Sequence, residues 1–135
     1  KAFFQITKFL IPHMKKQKMG KIISILTSYA VNNPPSGLSD YVVAKYSLLG
    51  LSKCMAVELG KFGIRVNSIS PSIVNPSLID KLPSKFKEII SSQIPLENKI
   101  AEPSDVAGVA LFLCSDSSNY ISGENILLTG GYSMH

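Results

Sequence analysis

The run KIISIL, residues 21–26, decides the fold class of this chain. It is short and rich in apolar residues without strict alternation, which is typical of a strand covered by helices on both faces. A second run of this kind, RVNSI at 65–69, follows a long helical pattern near 38–60. A strand, a crossover helix and another strand predict a parallel sheet.

The same alternation of helix and strand extends over the whole chain. It predicts a single α/β domain over residues 1–135, with about three parallel strands and flanking helices. In the last predicted helix, Ser104 is the expected N-terminal cap. The predicted segments are a helix near 1–17, a strand near 21–26, a helix near 38–60, a strand near 64–69, an irregular helix near 77–92, a helix near 104–115 and a strand near 125–129.

Three side chains around the first crossover point to proton-transfer chemistry. Tyr41 and Lys45 are four residues apart in a predicted helix and therefore project from one face. A phenol has an ordinary pKa of about 10, so proton exchange near neutral pH needs an adjacent cation. Ser28, which follows the first strand, could bind the same substrate oxygen as Tyr41. Taken alone, however, a Tyr and a Lys at this spacing are more often only a solvated pair.

The other motifs of the chain favour a catalytic role for Tyr41 and Lys45 over a solvated pair. In order along the chain, Ser28, YVVAK at 41–45, RVNSISP at 65–71, FLCSD at 112–116, ISG at 121–123 and GG at 130–131 resemble the carboxyl-terminal half of the short-chain dehydrogenase/reductase family. The pattern is most similar to 3-oxoacyl-carrier-protein reductases and covers essentially the whole chain. The resemblance implies a Rossmann-like fold and an NAD- or NADP-dependent oxidoreductase that transfers hydride between nicotinamide and a carbonyl or alcohol substrate.

The resemblance also implies a role for each side chain. Tyr41 would be the catalytic acid and base, and Ser28 would orient the substrate carbonyl. Lys45 would lower the pKa of Tyr41 and bind the nicotinamide ribose, so Tyr41 and Lys45 both count as cofactor-binding residues. The family's catalytic Asn would fall just before Lys1, outside the chain.

The segment after the second strand departs from the family pattern. Pro71, Ser72, Val74 and Ser77 are the cofactor-binding candidates there, with the Val74 backbone expected to meet the nicotinamide. Ser72 replaces the usual Gly, and Pro76 stands where a Thr is expected. Ser77 could substitute for that Thr, or it could only cap the following helix.

The sequence has no Gly-rich turn between a strand and a helix, which is where such proteins bind the dinucleotide pyrophosphate. The chain also begins with Lys and is about half the usual family unit. We therefore expect a fragment that lacks the dinucleotide-binding half and is inactive by itself. The alternative is a natural half-protein that acts as an oligomerisation or interaction module.

The sequence and the family resemblance also give expectations for the oligomeric state and for the substrate. Apolar residues all round the helix near 38–60, together with the opening helix, favour a homo-dimer or homo-tetramer. The strand 21–26 should be an unpaired edge. Residues 78–94, with Leu78, Ile79, Leu82, Phe86, Ile89 and Ile90, resemble a mobile lid for an apolar or acyl-chain substrate. The alternative, which the pattern favours, is an amphipathic helix that packs on the core.

The composition of the chain limits the kind of protein and the partners that it can have. With 45% hydrophobic and 17% charged residues, the chain reads as globular. No apolar run could span a bilayer and no signal peptide is recognisable, so we expect a cytoplasmic protein without membrane contact. The net charge of +5 comes from basic residues without the interleaved aromatic residues of a nucleic-acid-binding surface. These basic residues are then explained by a solvated face or by binding of an anionic substrate or carrier.

Cysteines and histidines carry no metal-ligand spacing. Cys54 and Cys114 lie far apart in apolar helical patterns and are expected to be buried free thiols. His13 and His135 have no partner ligands at useful spacing. The sequence therefore predicts no metal site.

Overall fold

A computed structural model describes residues 2–74 and 83–134. The predicted helices and strands are present in the described residues with bounds close to those expected, except that the helix predicted near 77–92 is described only over Ser84–Ser92, because residues 75–82 lie outside the described residues. Within the described residues, three short 3₁₀ helices lie in the connections, at Ser28–Ala30, Gly60–Phe62 and Asp116–Ser118. The elements are α1 (Ala2–Gln17), β1 (Gly20–Ile25), α2 (Ser39–Leu59), β2 (Ile64–Pro71), α3 (Ser84–Ser92), α4 (Pro103–Cys114) and β3 (Asn125–Leu128).

The described strands form one parallel sheet in the order β1-β2-β3. Gly20 pairs with Ile64 at the start of the first ladder, and Ser68 pairs with Asn125 at the start of the second. The α/β class with a parallel sheet is therefore confirmed. As predicted, β1 lies at an edge of this sheet, and β2 is its covered centre.

The core lies between the sheet and the helices. Its buried members from α2, Met55 and Leu59, pack against Ile22, Ile64 and Val66 of the strands. Every residue of β2 except Arg65 is buried, as expected for a central strand with helices on both faces. Packing of α2 on this sheet fixes the orientation of its first turns, which carry Tyr41 and Lys45.

Two sequence predictions about helices are wrong. Cys54 and Cys114 are free thiols, as expected, but both are exposed. Each is adjacent to the face that the core takes: Met55 and Leu113 are buried, and neighbouring positions on a helix point about 100° apart. Ser104 does not cap α4, since the helix already begins at Pro103, whose fixed φ suits a first helical position.

Across residues 2–74 and 83–134, no helix combines the length and apolarity needed to cross a bilayer. Within the same residues, no cluster of three or more His, Cys, Asp or Glu side chains could hold a metal ion.

Candidate active site

Ser28 is held at the carboxyl end of β1 by a short, well-bonded turn. The backbone N–H of Leu26 still donates to the carbonyl of Ile69, at 2.7 Å, so the turn starts directly from the sheet. The carbonyl of Ser28 then accepts from the N–H groups of Val31 and Asn32, at 3.0 and 3.1 Å. Ser28 is 2% exposed. The turn therefore holds the backbone of Ser28 in place, with the residue below the surface.

Tyr41 and Lys45 lie together on one face of α2, as their spacing predicts. The ammonium Nζ of Lys45 is 5.6 Å from the centroid of the Tyr41 ring. It also donates to the carbonyl of Ile25, at 2.9 Å. This bond ties α2 to the end of β1, just before the Ser28 turn. The Tyr41 ring is 42% exposed, so a substrate can reach it.

Two further tyrosines, Tyr29 and Tyr132, line a cavity with Ser28, and the sequence reasoning missed both. Burial raises the pKa of Tyr29, and the nearby phenols of Tyr132 and Tyr41 raise it further. Tyr29 could have been noticed because it follows Ser28 directly. Tyr132 carries no such signal, since only the folded chain brings the carboxyl-terminal turn to this place.

The raised pKa of Tyr29 predicts a loss of stability in alkali. Between its ordinary pKa of about 10 and the higher folded value, the folded protein keeps a proton that the unfolded chain has released. This contribution is complete below pH 10 and disappears as the pH rises through the folded pKa. Urea unfolding between pH 9 and pH 11 should therefore show a steeper loss for the wild type than for Tyr29→Phe. Tyr120→Phe, at a fully exposed position, should follow the wild type; equal slopes for all three proteins would contradict the prediction.

Ser28 and Ser72 border one small cavity, which we call the serine cavity. One wall comes from α3 and the turn after it, and another from the carboxyl-terminal turn. The lining residues are Ser28, Tyr29, Ser72, Ile73, Ile90, Gln93, Ile94 and Tyr132. A larger cavity of about 660 Å³, between the start of α4 and the end of β3, also touches Ser72, but it contains none of Ser28, Tyr41 and Lys45.

The segment after β2 is fixed from two sides. The N–H of Ser72 donates to the carbonyl of Leu128, at 3.0 Å, and Val74 pairs with Ala101 in an isolated parallel bridge. Pro71, a cofactor-binding candidate, is the last residue of β2, so the segment begins directly at the end of the sheet. Ser77 lies outside the described residues.

Only part of the expected lid falls within the described residues. Phe86 and Ile89 on α3 are exposed, whereas Ile90 lines the serine cavity. The described part of α3 fits both interpretations, a substrate lid and an amphipathic helix that turns Ile90 toward the core. Leu78, Ile79 and Leu82 lie outside the described residues.

A protein-family model described as enoyl-(acyl carrier protein) reductase matches residues 1–133. The chain belongs to the short-chain dehydrogenase/reductase family. The 3-oxoacyl-(acyl-carrier-protein) reductase FabG of Thermotoga maritima is 36% identical over 131 residues, which are 97% of this chain and 52% of that protein. The human dehydrogenase/reductase SDR family member 4 is 38% identical over 132 residues, covering 97% of this chain and 47% of that protein.

The fold of a solved relative agrees with this family membership. The crystal structure of a 3-oxoacyl-(acyl-carrier protein) reductase from Brucella melitensis superposes with a TM-score of 0.91 at 25% identity, covering 98% of this chain and 49% of that one. The predicted Rossmann-like fold class is thereby confirmed. This short-chain dehydrogenase/reductase chain spans about half the length of the relatives that it matches.

Proposed function

We propose that this chain carries the catalytic half of an NAD- or NADP-dependent oxidoreductase, which transfers hydride between nicotinamide and the carbonyl or alcohol carbon of a small molecule. The observation that carries the proposal is the Tyr41–Lys45 pair, which α2 holds against the end of β1 beside the Ser28 turn. Family membership supports the same reaction class. The dinucleotide-binding half would come from the remainder of a longer polypeptide.

The residues fit the nicotinamide end of such a cofactor. A Lys ammonium has three N–H donors, and Lys45 uses one of them on the Ile25 carbonyl. The other two can bind ribose hydroxyls. The backbone of Pro71 to Val74, fixed by the Leu128 and Ala101 contacts, is the proposed support for the carboxamide, and Ser77 remains a cofactor-binding candidate. When bound, NAD(P) supplies or accepts the hydride.

The side chains of this chain would manage the proton and the oxygen. In the reducing direction, the Tyr41 hydroxyl gives its proton to the substrate oxygen as negative charge develops there. Ser28 donates a hydrogen bond to the same oxygen from a turn that needs no rearrangement. The Lys45 ammonium stabilises the negative charge left on the Tyr41 oxygen. In the oxidising direction, the proton returns to Tyr41.

An apolar carbonyl compound of the 3-oxoacyl type is the proposed substrate class. Ile90 and Ile94 give the serine cavity an apolar side, and Phe86 and Ile89 place more apolar surface on the outer part of α3. An acyl chain could cover this surface. The names of the FabG relatives support the same class.

Replacing Ser28 by Ala tests the oxyanion role. In the polypeptide as its gene encodes it, Ser28→Ala should lower kcat/KM for ketone reduction by about 10²-fold, because one donor to the developing oxyanion is lost. The measurement is NADH or NADPH oxidation followed at 340 nm. Ser36→Ala, on the exposed part of the same connection, is the control and should keep wild-type activity. Equal activity of Ser28→Ala and the wild type would remove Ser28 from the mechanism.

A second candidate function is an oligomerisation or interaction module without catalysis. It is favoured by large apolar side chains left exposed on two helices: Phe9 of α1 is 83% exposed and Val57 of α2 is 84% exposed. Such surface favours association, and a homo-dimer or homo-tetramer is our proposal under either function. Intact mass, light scattering and NAD(P)H fluorescence separate the candidates. The module is supported if the subunit mass equals that of this chain alone, the subunits form an oligomer and no cofactor binds.

A further inference from the structure

The hydroxyl of Ser72 is buried without a partner. In the described part of the chain, three buried side-chain polar atoms lack a hydrogen bond: Asn32 Nδ2, Ser72 Oγ and Ser133 Oγ. Of these three residues, Ser72 is the one that borders the serine cavity, together with Ser28. Leaving a hydroxyl buried and unbonded costs folding free energy. Its retention needs an explanation.

The local backbone does not require this hydroxyl. The N–H of Ser72 is already satisfied by the Leu128 carbonyl, at 3.0 Å, so the side chain is not needed to cap it. The family pattern described above has Gly at this position, and Gly has no side chain to offer. The backbone hydrogen bond of this turn therefore does not use the Ser72 oxygen.

The surroundings of Ser72 resemble a recognition site more than a packing defect. Ser28 and Ser72 are separate polar points on one cavity, while Ile90 and Ile94 supply apolar wall. The serine cavity has a volume of about 20 Å³, which is room for one oxygen atom and not for a whole ligand. A ligand whose reacting carbonyl sits at Ser28 would need a second oxygen to satisfy Ser72.

The opposite wall of the serine cavity is held rigidly. The carboxyl-terminal turn is closed by a bond from the Tyr132 N–H to the Thr129 carbonyl, at 3.0 Å. It is tied to the segment after α3 by a bond from the Leu96 N–H to the Gly130 carbonyl, at 2.9 Å. Tyr132 and Ile94 therefore belong to backbone that is tied in place, and an oxygen atom that enters the cavity meets a preformed shape.

We propose that Ser72 is a specificity-determining residue whose hydroxyl binds a second oxygen of the substrate. The substrate is then a carbonyl compound with another oxygen close to the reacting one, as in a β-keto ester or a 3-oxoacyl thioester. This inference rests on the proposed function, because it assumes that a carbonyl is reduced at Ser28 and Tyr41. It adds the residue that selects among carbonyl substrates.

The experiment compares two ketones of equal chain length in the gene-encoded polypeptide. Ethyl acetoacetate carries the second oxygen, and heptan-2-one lacks it. Ser72→Ala should lower the ratio of kcat/KM for ethyl acetoacetate to kcat/KM for heptan-2-one by about tenfold, the value of one hydrogen bond. The same variant should melt about 2–4 °C higher, since an unbonded buried hydroxyl has been removed.

Ser70→Ala is the matched control. Ser70 lies two positions earlier on β2 and is fully buried, but its hydroxyl is bonded to Asn125 Oδ1 at 2.7 Å. This variant should melt lower and keep the wild-type ratio of the two kcat/KM values. The opposite signs of the two melting shifts separate an unsatisfied functional hydroxyl from a structural one.

Three outcomes would overturn the inference. An equal loss on both ketones would assign Ser72 to cofactor binding or general architecture, and no loss on either would remove it from the site; in both cases the proposed function stands. A wild-type protein that reduces neither ketone with NADH or NADPH would overturn the proposed function and this inference together.

Discussion

The Tyr41→Phe variant is expected to lose about 10³-fold in turnover while it keeps its fold. The substitution removes one oxygen from a ring that is 42% exposed, so the packing of α2 on the sheet is unaffected. Without that hydroxyl, the proposed mechanism has no group to protonate the substrate oxygen. Steady-state NAD(P)H oxidation in the gene-encoded polypeptide gives the turnover, and circular dichroism checks the fold.

Tyr46→Phe is the matched control for this result. Tyr46 belongs to the same helix and is similarly exposed, at 49%, but it lies five positions further along α2 and outside the Tyr41–Lys45 face. It should retain wild-type turnover. If Tyr41→Phe were to keep more than about a tenth of the activity, Tyr41 would not be the acid, and the centre of the proposal would fall.

Most of the fold could be predicted because its signals are local. The strands β1 and β2 are short runs that carry apolar residues on both faces without strict alternation, and this pattern indicates covered parallel strands. The helix α2 was expected near 38–60 and spans Ser39–Leu59. The proximity of Tyr41 and Lys45 follows from helix geometry alone, since residues four apart share a face.

The rest of the candidate site depends on tertiary contacts that no local pattern encodes. Tyr132 reaches the serine cavity through a turn at the end of the chain, and Gln93 reaches it from the turn after α3. The exposure of the two thiols could not be predicted for the same reason. Since α2 carries apolar residues all round, periodicity did not show that the sheet would bury Met55 and leave Cys54 outside.

The second large effect is expected on stability, at the turn between α2 and β2. Gly63 has φ of +71°, in the left-handed region, and a Cβ built on it would collide with the backbone carbonyl oxygen of Lys18. Backbone atoms cannot rotate away as a side chain can. Gly63→Ala should therefore lower the free energy of unfolding by about 2–4 kcal/mol, more than the 1–2 kcal/mol of the left-handed conformation alone. Urea unfolding of the gene-encoded polypeptide measures this change in the free energy of unfolding.

Gly60→Ala tests whether position, and not composition, causes that loss. Gly60 lies only three residues earlier, has a helical φ of −55°, and a Cβ there would meet no atom within 4 Å. Alanine should stabilise this end of α2 by about 0.5–1 kcal/mol, because glycine loses more backbone entropy on folding. The two substitutions add the same methyl group and should act in opposite directions. Equal effects would mean that neither the left-handed φ of Gly63 nor the Lys18 carbonyl, just after α1, disfavours a Cβ at this position.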